Sequence, residues 1–148
     1  MIQRIFVAAV FASVCGAAEA ACDKPAVQPS AAKWEVQMTQ DGWIARSADY
    51  PGLGVPLNMA SPSTPEIYEF VTLPRYQNSI GLLQYYAGEP GTSYLVTLIH
   101  NAILDLEANR VIGDAPFSED CVPAKWSWSD GEVKVQSDDV GDEIFNLR

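Results

Sequence analysis

The sequence predicts a mainly β fold: a single antiparallel β domain, a sandwich or half-barrel of about seven or eight short strands, with one helix within 93–109 as the alternative there. Three observations predict it. In "KWEVQMT" and "KWSWSDGEVKV" apolar and polar residues alternate, the period of a strand with one buried face. Asp-Gly pairs at 41–42 and 130–131 separate such runs, as tight hairpins require. Between them lie segments rich in β-branched and aromatic residues, which suit a pleated, half-buried surface.

The N-terminus is read differently. Residues 1–20 place Arg4 ahead of an apolar run from Ile5 to Ala18 and end in Ala18-Glu19-Ala20, the layout of a secretory signal peptide cleaved before Ala21. The run is shorter than the roughly 20 apolar residues that a membrane span needs. Cys22 has Glu19 three residues before it and Cys15 has Ala12 there with bulky Val14 adjacent, so neither has the small and aliphatic surroundings of a lipid attachment site. Cleavage removes Cys15 and leaves Cys22 and Cys121, an isolated pair expected to form a disulfide in an oxidising compartment. The expected location is periplasmic or secreted, with no membrane span after cleavage. Residues 21–32, "ACDKPAVQPSAA", form an extended N-terminal arm, and 33–148 one β-rich domain.

Along that domain, Trp34, Val36 and Met38 share a strand face, "QDG" turns the chain and "WIARS" returns it. From Asp49 to Pro65 the chain has four prolines and two glycines, a density that excludes regular pairing. Its apolar residues Tyr50, Leu53, Leu57 and Met59 therefore either pack back on the domain or form a contact surface. "EIYEFVTLP" and "SIGLLQYYA" read as strands joined through "RYQN". On a one-sided sheet, adjacent Tyr85 and Tyr86 point to opposite faces and one is exposed. "LVTLIHNAILDLEANR" fits helix and strand; Asn109, placed where a hairpin loop takes a left-handed residue, favours strand. Trp126 and Trp128, then Val133 and Val135, line up on either side of Asp130-Gly131. "DDVGDE" reads as a turn and "IFNLR" as a last short strand.

Charge narrows the function classes. The chain has 9 basic and 19 acidic residues, a net charge of −10, and removing Arg4 and Glu19 leaves that net unchanged. Nucleic acid and anionic lipid are disfavoured partners, because both are recognised through Lys and Arg. Acidic residues concentrate from Asp114 to Glu143, which draws a basic partner.

No catalytic residue is assigned. His100 is the chain's single histidine and has no serine elbow or comparable motif near it in sequence, so it is read as a packed residue lacking the partners of a catalytic base. No two carboxylates stand out as an acid and base pair. "SDDVGDE" departs from the spacing of a calcium loop, one histidine and a bonded cysteine pair are too few for zinc, and no metal or cofactor is expected.

The function expected is that of an exported, non-enzymatic binding protein, such as a periplasmic inhibitor or immunity factor for a cationic cell-wall hydrolase. Its partner-binding residues would be Tyr50, Leu53, Leu57, Met59, Glu119, Asp120, Asp138, Asp139, Asp142 and Glu143, using electrostatic attraction and an apolar plug. The alternatives are a small carboxylate-dependent hydrolase and an envelope structural or assembly protein.

Overall fold

A computed structural model describes residues 25–60, 62–88, 98–119, 122–138 and 141–148. The expected signal peptide, Cys22 and Cys121 lie outside the described residues, as do Asp120 and Asp139. The first hairpin forms as its alternation demands: Trp34–Thr39 (β1) pairs with Gly42–Ser47 (β2). Gly42 takes φ 117° at the turn, a conformation costly to any residue with a Cβ. The Thr39 hydroxyl ties the turn together, donating to the Gly42 carbonyl at 2.8 Å.

The proline-rich stretch corrects one expectation. Gly54–Pro56 (β3) pairs with β2, so prolines did not exclude pairing. The strand is three residues long and lies at a sheet edge, where a proline leaves no ladder bond unmade. Around it Leu53, Val55 and Leu57 are buried, and the Leu57 N–H donates to the Trp43 carbonyl at 2.9 Å. This stretch packs back on the domain.

Ile67–Thr72 (β4) and Ile80–Gly88 (β5) form the second hairpin. Their connection is longer than "RYQN": a short 3-10 turn at Pro74–Tyr76 precedes Gln77 and Asn78, both left-handed. Leu98–Asp105 (β6) is a strand, which decides the ambiguous segment for those residues. Asp105 accepts from the Ala108 N–H at 3.0 Å and Asn109 has φ 50°, so the tight turn places its left-handed residue where expected. Arg110–Glu119 (β7) returns beside β6, and Val122–Pro123 (β8) extends the sheet. Lys125–Trp128 (β9) and Glu132–Ser137 (β10) make the hairpin around Asp130-Gly131, and Gly141–Asn146 (β11) completes it. β11 begins inside the predicted turn "DDVGDE". The eleven strands among the described residues exceed the seven or eight expected, in part because β3 and β8 are too short to show a period. Among the described residues there is no α-helix, and no helix is long and apolar enough to cross a membrane.

The strands form antiparallel sheets in the orders β1-β2-β3, β4-β5-β6-β7-β8 and β11-β10-β9. Trp34, Ala45 and Val55 of the first sheet pack on Leu83, Tyr85, Ala102 and Leu104 of the five-stranded sheet. Val133 and Val135 of the third pack on its other face, against Ile80, Ile103 and Ala115. A Cβ on Gly113 of β7 would lie 2.3 Å from the Phe145 ring, so β11 seats there only because that position has no side chain.

Covering the middle sheet on both faces overturns the expectation for Tyr85 and Tyr86. Both are buried: Tyr85 joins the first cluster, and Tyr86 packs with Tyr68 and Ile99 on the opposite face.

Candidate functional site

Within this core lies a polar cluster built from three adjacent strands. Tyr85 of β5 stands opposite His100 of β6, and Asp114 of β7 stands opposite Ala102. Two-residue periodicity points all three side chains to the same face. The Tyr85 hydroxyl donates to Asp114 Oδ2 at 2.5 Å, and His100 Nδ1 lies 2.5 Å from Asp114 Oδ1. That hydroxyl also accepts the Asn58 backbone N–H at 2.8 Å, which fastens the proline-rich stretch to the sheet.

Burial sets the electrostatics. The His100 and Asp114 side chains are only 16% and 12% exposed, and Tyr85 is wholly buried. Burial pushes the Tyr85 phenol well above its ordinary pKa; the Asp114 carboxylate beside it adds to the rise, and the Asn58 N–H works against it. Opposite a carboxylate, which accepts, Nδ1 is the donor of the His100 ring in this bond, and Nε2 is the ring nitrogen turned away from Asp114. An imidazole held this way is oriented as a general base would be.

The expectation that His100 lacks partners is thereby corrected: Asp114 orients it. The missed residues are Tyr85 and Asp114. One signal was present, since folding the chain back about the turn before Arg110 brings Asp114, a lone carboxylate between Gly113 and Ala115, beside residues 100–102.

Away from this cluster, a concavity of about 270 Å³ opens where the 73–79 connection, the β6–β7 turn and the β9–β10 turn meet the C-terminal residues. Arg75, Glu107, Asp130 and Arg148 line it. Arg75 Nη1 donates to the Trp128 carbonyl at 3.0 Å and its other terminal nitrogen lies 3.6 Å from Asp130, while the Tyr76 hydroxyl donates to the Ser129 carbonyl. These bonds hold the turns together.

The expected partner-binding residues do not converge on one bare surface. Leu53 and Leu57 are core residues, which corrects their placement on a contact surface, and Tyr50 and Met59 are half-buried against the same cluster. Tyr50 stacks on Trp34 with ring centres 6.0 Å apart. Asp142 is engaged by Lys134 at 2.7 Å and by Gln136 at 3.2 Å; the Lys134 bond, then the Gln136 bond, hold its carboxyl below the usual range. Glu143 is half-buried and Asp138 exposed. Glu119 ends β7.

Among the described residues no group of His, Cys, Asp and Glu is placed to hold a metal ion. Compared with models of known families, with curated proteins and with solved structures, the chain gives no significant match. The chemistry of its own residues is what supports a function.

Proposed function

We propose that this is an exported binding protein for a basic protein partner, of the kind that inhibits or neutralises a cationic cell-wall hydrolase. The observation that carries it is the β7–β8 hairpin, where Phe117 and Val122 are 40% and 53% exposed. The Ala124 N–H bonds the Phe117 carbonyl at 2.9 Å, and Ser118 stands opposite Pro123, so the two apolar residues belong to one antiparallel pair of strands. In the sequence Glu119 and Asp120 come between Phe117 and Val122, and the chain carries −10 overall. Apolar anchors beside acidic residues suit a basic surface with an apolar pocket: long-range attraction sets the on-rate and the anchors set the off-rate. Export and a bond between Cys22 and Cys121 belong to the same proposal, and mass analysis before and after reduction tests that bond.

The binding test measures association with a panel of basic cell-wall hydrolases by surface-immobilised kinetics. A matched partner should show an on-rate that falls with salt, and Phe117→Ser with Val122→Ser should raise the off-rate about tenfold or more. A panel with no binder, or a binder indifferent to both changes, refutes the proposal.

A second function is favoured by a different observation: the His100 and Asp114 pair suits a small hydrolase in which His100 Nε2 takes a proton from water or a substrate hydroxyl. Hydrolysis of peptidoglycan fragments or esters that His100→Ala abolishes, with folding intact, would select it over binding.

A further inference from the structure

We infer that β11 is a self-pairing edge through which two copies of this chain associate. β11 is the outermost strand of its sheet, six residues long, with an unbroken register against β10. The Leu147 N–H bonds the Gly131 carbonyl at 2.9 Å. By the alternation of an antiparallel ladder, Phe145, Glu143 and Gly141 then turn their backbone groups to β10, while Asp142, Ile144 and Asn146 turn theirs to the open edge. An edge strand is ordinarily protected by brevity, proline, lysine or a bulge. β3 and β8 are short and contain Pro56 and Pro123, and the Tyr68 carbonyl of β4 accepts the Gln28 N–H of the N-terminal arm at 2.7 Å. "GDEIFN" has no proline, lysine or bulge; the half-buried Glu143 is its one inward-pointing charge, and Asp142 is held by Lys134.

The strand is also complementary to itself. A two-fold axis through Ile144 places Ile144 opposite its copy, and Asp142 opposite Asn146 of the second chain. All three pairs are then of the type that exchanges both backbone hydrogen bonds. Ile144, 58% exposed in the single chain, is covered, and each Asp142 faces an amide rather than another carboxylate. On the same outer surface Lys125 and Lys134 offset Glu132 and Asp142, with Lys134 bonded to Asp142. β1, another six-residue edge, points Trp34 and Val36 toward the core but leaves Met38 61% exposed, so Met38→Lys is the control that tells the two edges apart: it should leave the dimer intact.

Sedimentation velocity of the purified protein, from micromolar to several hundred micromolar, tests the edge. The expected result is a monomer–dimer equilibrium that shifts toward dimer as salt screens the net charge. Ile144→Lys and, separately, Asn146→Asp should each weaken it about tenfold or more, with circular dichroism unchanged. Adding Asp142→Asn to Asn146→Asp restores a carboxylate–amide pair and should recover the dimer. If Ile144→Lys does not fold, the Asn146→Asp pair of variants decides. A protein that stays monomeric at every concentration, or a dimer indifferent to these changes, overturns the inference.

Discussion

Tyr85→Phe removes one oxygen and keeps the ring, so it isolates the worth of the buried polar cluster. That oxygen donates to Asp114 at 2.5 Å and accepts from Asn58 at 2.8 Å. A hydrogen bond to a charged group contributes about 1.5–3 kcal/mol and an ordinary one about 0.5–1.5 kcal/mol. Asp114 keeps His100 as a partner, and Asn58 is exposed enough for water to replace part of its bond. The expected cost is therefore about 2–3 kcal/mol, below the simple total. Urea unfolding of both proteins measures it as a lower midpoint at unchanged slope. Tyr76→Phe serves as the control, because its hydroxyl makes one bond at an exposed site and should cost less than about 1 kcal/mol. Pairing Tyr85→Phe with Asp114→Asn in a double-mutant cycle should show coupling of about 1 kcal/mol or more. If Tyr85→Phe costs no more than the Tyr76 control and shows no coupling, the cluster does not hold the proline-rich stretch to the sheet.

The remaining predictions use the same unfolding assay. Leu53→Ala should destabilise by about 2–5 kcal/mol, because Leu53 is 1% exposed and truncation leaves a cavity; a change within error would return it to the surface. Gly113→Ala should cost about 1–3 kcal/mol by driving a methyl into Phe145, and Phe145→Leu should recover part of that loss. Stability should fall above pH 10: burial, then the charge of nearby Glu66, push Tyr68 up to about 12. The unfolded chain then releases the proton first, so this contribution is complete below about pH 10 and lost as pH rises toward 12. Tyr68→Phe should flatten that decline, and equal slopes in both proteins would refute it.

The local parts of this protein were legible in its sequence. Trp34–Thr39 with Gly42–Ser47, and Lys125–Trp128 with Glu132–Ser137, belong to outer sheets whose strands bury one face, so alternation survives in the residues themselves. The left-handed Asn109 was equally visible, since it depends on neighbours a few residues away. What tertiary structure decided lies in the middle sheet. Ile80–Gly88 and Leu98–Asp105 are covered on both faces; their apolar residues run nearly continuously, and a strand without alternation cannot be told from a buried helix by period. The same double covering buries Tyr86 as well as Tyr85 and draws Leu53 and Leu57 out of the expected contact surface into the core. It also makes the His100–Asp114–Tyr85 cluster, whose members are separated by 14 and 29 residues. Sequence spacing has no period for such contacts; strand register creates them, and the dry space between two sheets gives them their strength.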